Sequence, residues 1–260
     1  MRIAIGLEYD GRGFCGWQSQ PSGCGIQDHV EKAVAEIAGE KLAVTAAGRT
    51  DTGVHASFQV AHFDVASARP LTAWVRGVNT HLPGGIAVTW AKEMPEDFHA
   101  RFAVEERGYR YVLLNHPVRP ALMAGKVGWH HRPLDARAMQ AAADRLLGRH
   151  DFSAFRAAEC QAKSPEKEMR RAVITRHGDF LACDFRADGF LHHMVRNIMG
   201  CLVHIGAGEA APAWIDELLA HKDRTRAAPT FMPDGLYLTY IRYASHFGLP
   251  ESGRNSWPCA

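Results

Sequence analysis

The sequence predicts an α+β protein made of two similar halves, each with helices and a mixed, mostly antiparallel sheet. Short apolar segments with the two-residue alternation of strands are interleaved with segments whose apolar residues recur at helical spacing. In the first half the order is strand, helix, strand, strand, helix, strand, which is the split βαβ pattern of ferredoxin-like folds. A related order follows in the second half, so we expect two ferredoxin-like-derived halves.

The first half opens with an alternating apolar segment at residues 2–9, which is typical of a strand. Ile26, Val30 and Val34 then recur at helical spacing and predict a helix over residues 26–39, where Gly39 ends it. The remaining elements predicted in this half are strands at 42–47, 59–65 and 86–91, and a helix at 71–82 that ends before Pro83-Gly84-Gly85.

In the second half, Asp135 is a candidate N-cap for an Ala-rich helix over residues 135–147. Gly178-Asp179 is a two-residue turn signal and predicts a hairpin between two strands. The strands of this half are predicted at 109–114, 169–177, 180–186 and 236–242, and its further helices at 190–205 and 213–221. We therefore expect an N-terminal domain at residues 1–105, a C-terminal domain at 106–245 and a loose tail at 246–260.

Composition limits the class of protein only broadly. The 260 residues are 47% hydrophobic, which suffices for one or two globular domains. Formal net charge is only +2, so a nucleic-acid partner would require a local basic surface rather than bulk charge.

The cysteine pattern and the apolar segments predict a cytoplasmic location. The six cysteines form no C-x-x-C pair and are scattered along the chain, which favours reduced thiols over a disulfide scaffold. The N-terminus leads directly into a strand segment without the features of a signal peptide. No apolar run has the length of a membrane span.

The most unusual segment, residues 46–56, lies between two predicted strands and reads Ala-Ala-Gly-Arg-Thr-Asp-Thr-Gly-Val-His-Ala. Its glycines allow sharp turns and close approach of a substrate to the backbone, while Arg49, Asp51 and His55 supply polar groups. A plain polar turn is one interpretation. Another follows from Asp51-Thr52-Gly53, the triplet of aspartic proteases, in which two carboxylates share a proton. The helix-rich pattern and the absence of a second such triplet argue against a protease, unless a dimer supplies the second loop.

Four further segments favour a third interpretation by resemblance. They are residues 9–18 (Tyr-Asp-Gly-Arg-Gly-Phe-Cys-Gly-Trp-Gln), 97–102 (Asp-Phe-His-Ala-Arg-Phe), 108–111 (Gly-Tyr-Arg-Tyr) and 189–197 (Gly-Phe-Leu-His-His-Met-Val-Arg-Asn). Together with residues 48–56 they closely resemble, in the same order, the motifs of the tRNA pseudouridine synthase A family. The resemblance extends to about Tyr243. One departure is Thr52, where that family usually has alanine after its catalytic aspartate.

The resemblance implies an isomerase that converts uridine to pseudouridine at positions 38, 39 and 40 of the tRNA anticodon stem-loop, without a cofactor. It implies that Asp51 is the nucleophile, acting at either C6 of the base or C1′ of the ribose. It assigns Arg196 to holding that carboxylate ionised and Tyr109 to packing on the flipped base. Arg49 could fill the gap left by the base or bind phosphate. The family acts as a homodimer, and the active cleft is expected between the two halves.

RNA affinity is expected to come from dispersed cations, since Lys and Arg contacts to phosphate dominate such binding. The candidates are Arg76, Arg101, Arg107, Arg110, Arg149, Arg156, Lys163, Lys167, Arg170 and Arg171. Residues 161–171 are predicted to form a loop over the RNA, with an ordinary solvated loop as the alternative. No metal is expected, because the adjacent His192 and His193 point about 100° apart on a helix.

Three functions stay open at this stage: a tRNA isomerase, a non-catalytic RNA-binding protein and a dimeric aspartic protease. The joint presence of Asp51, Tyr109 and Arg196 favours the first.

Overall fold

The computed structural model describes residues 1–251, and these form two compact units. The first contains residues 1–105 together with 237–251, and the second contains residues 106–236. Both combine helices with a largely antiparallel sheet, which confirms the predicted α+β class. The expected division into separate domains at residues 105 and 106 stays a prediction.

The first unit contains a sheet with the strand order β4-β1-β3-β10, in which β2 also pairs with β3. Its elements are β1 Arg2–Tyr9, α1 Ile26–Ala38, β2 Thr45–Ala46, β3 His55–Asp64, α2 Val78–His81, β4 Ile86–Met94 and β10 Leu236–Tyr243. A π-helical turn, Ala73–Gly77, leads directly into α2. β1 runs antiparallel to both β3 and β4, whereas β10 runs parallel to β3.

The core of this unit follows the predicted apolar pattern. Ile3 and Ile5 of β1 are fully buried, as are Val30 and Val34 of α1. Gly39 ends α1 in the left-handed conformation, with φ of 78°, as its position predicted. The helical segment predicted at 71–82 and the strand at 86–91 are also present, the latter continuing to residue 94.

The second unit has the strand order β5-β9-β8-β7, with β6 pairing with β5. Its elements are β5 Val104–Asn115, β6 Gly128–His130, α3 Ala136–Asp144, β7 Gly148–Asp151, β8 Glu166–His177, β9 Phe180–Ala187, α4 Met194–Gly206 and α5 Trp214–His221. The predicted hairpin is confirmed, since β8 and β9 pair antiparallel around Gly178-Asp179. Asp135 caps α3 as predicted, its carboxylate accepting the backbone N–H of residues 137 and 138.

Several predicted boundaries in the second unit are wrong. Residues 166–171 belong to β8 and are not part of a loop, because they pair with residues 148–151 and 186–187 on neighbouring strands. The short strands β6 and β7 were not predicted. The helix predicted from residue 190 begins at Met194, because His193 before it has φ of 61°, which a helix does not tolerate.

The expectation that the cysteines are all reduced is wrong for one pair. Cys15 and Cys24 form a disulfide, their Cα atoms 5.4 Å apart, because the turn around Gly23 brings the two ends of this segment together. Cys160, Cys183 and Cys201 are free and buried.

The segment predicted to be a loose tail divides at residue 251, since residues 252–260 lie outside the described residues. Before that point the chain is anchored to the first unit. Phe247 is buried against Phe98, with ring centroids 5.1 Å apart. The Tyr240 hydroxyl donates to the Glu251 carboxylate at 3.0 Å.

Candidate active site

The Asp51 loop connects β2 to β3 and turns sharply after the aspartate. The Val54 N–H donates to the Asp51 carbonyl at 3.1 Å, which closes a four-residue turn. Gly53 occupies its third position with φ of 80°, a conformation that side chains disfavour and glycine adopts freely. Asp51 is partly buried at the start of this turn, whereas Arg49 and Thr52 are exposed.

Three hydrogen bonds fix the backbone just before Asp51. The Gln59 Nε2 donates to the Gly48 carbonyl at 2.6 Å, and the Trp17 N–H donates to the Thr50 carbonyl at 2.9 Å. The Tyr9 hydroxyl and the Thr50 hydroxyl are 2.9 Å apart. Gln59 is fully buried and Thr50 nearly so, which shields these bonds from competing water. The loop is thus held in one conformation.

The segment that donates to Thr50 must approach the loop closely. At Gly16, with φ of 85°, a Cβ atom would lie only 2.8 Å from the Thr50 carbonyl oxygen. A side chain there would push the two segments apart, so glycine permits the hydrogen bond of the next residue, Trp17. The Cys15–Cys24 disulfide closes the same segment.

A charged group of side chains borders the far end of the loop. The Asp10 carboxylate contacts Arg12 Nη2 at 2.6 Å and lies 3.2 Å from His55 Nδ1. The hydrogen bond from Arg12 lowers the pKa of Asp10 to about 2, so this carboxylate is ionised at neutral pH. The buried His55 ring stacks on Tyr237 at 4.5 Å, which fixes the first residue of β3.

Two tyrosines of β5, Tyr109 and Tyr111, lie on the same face of the strand but differ in their surroundings. Tyr111 is fully buried, and its hydroxyl donates to the Met232 carbonyl at 2.9 Å. Burial raises the pKa of its phenol well above the usual value. Tyr109 retains 8% exposure and meets Phe190 edge-on at 5.0 Å. Tyr111 is therefore a structural residue.

Arg196 lies in the first turn of α4 and is partly exposed. Its Nε donates to the Phe231 carbonyl at 3.0 Å, and the Phe231 N–H donates to the Arg196 carbonyl at 3.1 Å. The neighbouring Asn197 is fully buried and donates to the Phe155 carbonyl at 2.8 Å. These bonds fix the start of the helix and hence the base of the Arg196 side chain.

The predicted site residues fall into both units. Asp51 and Arg49 share one loop of the first unit, and Tyr109 and Arg196 belong to the second. No role was predicted for Gln59 from the sequence. The signal that could have indicated one is the presence of a polar glutamine within the apolar strand segment Phe58–Val60. Tyr9 and Asp10 were noted only as part of a motif.

Some cations expected to bind RNA are engaged within the protein. Arg110 forms a two-pronged ion pair with Asp184, with N–O distances of 2.8 and 3.0 Å. Arg156 donates to the Cys160 carbonyl at 2.6 Å. These two contribute to the fold of the second unit in addition to any role towards RNA.

Comparison with known proteins gives the family. The family described as tRNA pseudouridine synthase matches residues 6–103 and 142–244. This chain belongs to that family.

Relatives named tRNA pseudouridine synthase A match over nearly the whole chain. The one from Thiobacillus denitrificans is 72% identical over 260 residues and covers 100% of both chains. Those from Dechloromonas aromatica and Chromobacterium violaceum are 60% and 59% identical, each covering 96% of both chains. The family acts as an isomerase on uridine in tRNA. None of the helices within residues 1–251 has the length and hydrophobicity needed to cross a membrane.

Proposed function

We propose that this tRNA pseudouridine synthase isomerises uridine to pseudouridine at positions 38, 39 and 40 of the anticodon stem-loop, with Asp51 as the nucleophile. The observation that carries the assignment is the Asp51 loop, whose backbone is fixed by Gln59, Trp17 and Tyr9 immediately before the aspartate. A carboxylate is a weak nucleophile, so it becomes a competent covalent catalyst only when it is positioned in this way.

The reaction exchanges one bond for another within the nucleotide. The bond from uracil N1 to C1′ breaks, the base turns, and a bond from C5 to C1′ forms. C5 loses its hydrogen to solvent and N1 gains a proton. Asp51 attacks either C6 of the base or C1′ of the ribose, and both routes require an ionised carboxylate next to an extruded uridine.

We assign supporting roles to three residues in line with the family resemblance. Arg196 holds the Asp51 carboxylate ionised, and the hydrogen bonds around the first turn of α4 favour a defined position for its side chain. Tyr109 packs on the flipped base, and its remaining exposure beside Phe190 is compatible with an aromatic contact. The exposed Arg49 fills the place of the flipped base or binds phosphate. No cofactor is needed.

We also propose that the enzyme works in the cytoplasm, where tRNA is modified, and as a homodimer whose two subunits contact one tRNA. The dispersed Lys and Arg side chains supply most of the affinity, so binding weakens as salt rises.

The decisive experiment combines Asp51→Asn with two assays. Asparagine preserves the shape of the side chain but has no charge and is a far poorer nucleophile, so we expect no pseudouridine. Binding depends on phosphate contacts elsewhere, so filter binding should give an affinity for unmodified tRNA close to that of the wild type. Tritium release from tRNA labelled at uracil C5 measures turnover.

The matched control is Asp179→Asn, which removes one carboxylate charge from the exposed turn between β8 and β9. It should retain full turnover. Substantial tritium release by a folded Asp51→Asn protein would refute the nucleophile assignment. Equal losses of binding and turnover would show instead that Asp51 is a structural residue.

A further inference from the structure

The end of the 97–102 motif presents an aromatic ring to solvent. Phe102 is 75% exposed, and no other Phe, Tyr or Trp in the described part of the chain belongs to the exposed class. Isolated exposed apolar side chains are common and need no function. Phe102 differs from such residues because its ring stacks on another ring of the protein, which fixes its position.

A column of rings runs from the core of the first unit to Phe102. The nearly buried His62 meets His99 with ring centroids 4.8 Å apart, and His99 stacks on Phe102 at 4.3 Å with an interplanar angle of 28°. Desolvation lowers the pKa of His99 and lowers that of His62 to about 4, so both rings are uncharged at neutral pH.

The neutral histidines also fix the backbone that carries the ring. His99 Nδ1 accepts the N–H groups of Arg101 and Phe102, each at 3.2 Å. His62 Nδ1 accepts the Ala100 N–H at 3.2 Å. A protonated imidazole could not accept these bonds, so the rigid turn requires both rings in the neutral form.

Two further contacts anchor the same turn from outside. The Tyr243 hydroxyl donates to the Ala100 carbonyl at 2.7 Å. Arg2 donates to the Phe98 carbonyl at 2.7 Å while forming an ion pair with Asp64 at 2.8 Å. The exposed ring therefore has a preset orientation, which reduces the entropy lost when a ligand stacks on it.

A cation lies over the ring. The Cζ atom of the exposed Arg101 is 5.5 Å from the Phe102 ring centroid. An aromatic face next to a guanidinium group is the combination by which proteins bind single-stranded nucleic acid, because the ring stacks on a base and the cation contacts the ring face or a phosphate.

We propose that Phe102 and Arg101 form an RNA-binding site on the first unit, at which Arg101 moves from the ring to a phosphate of the bound tRNA and the adjoining unpaired base stacks on the exposed part of Phe102. The site rests on the proposed function and adds a contact that positions the tRNA. A second copy of the chain is the less suitable occupant, because the centre of a protein interface is broad and poor in charged residues, whereas this site is a single ring with a cation over it.

The test replaces Phe102 with alanine, leucine and tryptophan. Alanine and leucine remove the π-face, so the Kd and KM for unmodified tRNA should rise about tenfold. Because Phe102 takes no part in the bond exchange at the target uridine, kcat at saturating tRNA should stay within about twofold of wild type. Tryptophan retains the π-face and should bind at least as tightly as phenylalanine, and its fluorescence should be quenched when tRNA binds.

Leu71→Ala is the matched control, since Leu71 is an exposed apolar residue of the same unit that is 44% exposed. It should leave Kd unchanged. Sedimentation of each variant should show the same oligomeric state as the wild type.

Wild-type affinity in Phe102→Ala would overturn the site, as would equal affinities for the leucine and tryptophan variants. Loss of a dimer in Phe102→Ala alone would assign the ring to a protein interface instead. These readouts are separate from turnover. A wild-type protein that binds tRNA but makes no pseudouridine would refute the proposed function and leave the binding comparison able to decide the site.

Discussion

Gln59→Leu tests whether the fixed loop, and not Asp51 alone, gives the enzyme its activity. Leucine is similar in size to glutamine and is apolar, like the residues on either side of this buried position of β3, so the strand should keep its place in the sheet. The change removes the 2.6 Å hydrogen bond from Nε2 to the Gly48 carbonyl. It also removes the weaker contact of Nε2 with the Tyr9 hydroxyl at 3.4 Å.

The expected loss of stability follows from the loss of the hydrogen bond to the Gly48 carbonyl. An acceptor left without its partner in a sheltered site costs about 1–3 kcal/mol, so the free energy of unfolding should fall by that amount. The freed loop can then shift, and a displacement of about 1 Å at a reacting group costs about 100-fold in rate. We expect the single-turnover rate to fall about 10- to 100-fold, with little change in the Kd for tRNA.

The assay is tritium release under single-turnover conditions, together with urea denaturation. Gln140→Leu provides the control. Gln140 donates to the Ala172 carbonyl at 3.0 Å and accepts the Ile174 N–H at 2.6 Å, so it also bonds to backbone but not to the Asp51 loop. It should lose a similar amount of stability and keep its rate. Equal loss of stability without loss of rate in Gln59→Leu would refute the role of the fixed loop.

The remaining predictions concern pH and the flipped base. The pKa of His62 is lowered from 6.5 to about 4 in the folded protein, so unfolding takes up a proton between these values and stability falls as pH drops through that window. The free energy of unfolding falls by up to about 3 kcal/mol by pH 4. Urea denaturation from pH 8 to 4.5 should show a shallower decline of this free energy for His62→Gln than for the wild type or for His177→Gln, a control at an exposed site. Parallel curves for all three proteins would contradict the assignment. Tyr109→Ala should lower turnover far more than tRNA affinity, because stacking on the extruded base matters mainly after docking, and equal losses in filter binding and tritium release would exclude that role.

The sequence by itself determined the local elements that periodicity and end signals define. Apolar spacing fixed α1, and Gly39 marked its end because glycine adopts the left-handed conformation without strain. The Gly178-Asp179 turn predicted the hairpin of β8 and β9 for a similarly local reason. The family resemblance, carried by long ordered motifs, indicated Asp51 as the candidate nucleophile, and the comparisons confirmed the family.

Only the tertiary structure decided features that depend on residues distant in the sequence. β7 and the first residues of β8 are polar, and they are strands because they pair with each other. β10 was assigned to the second half from its position in the chain, yet it runs parallel to β3 in the first unit. Parallel pairing requires a long connection, so a local pattern cannot reveal the partner.

The same reason explains what the sequence missed around the site. Gln59 lies eleven residues beyond the carbonyl that it binds, and Tyr9 reaches Thr50 from forty-one residues away. The ring column of His62, His99 and Phe102 likewise forms only where β3 meets a later turn. Motifs indicated which residue types were present, but a hydrogen bond or a stacked ring requires two groups within a few ångströms, and only the folded chain brings such distant residues together.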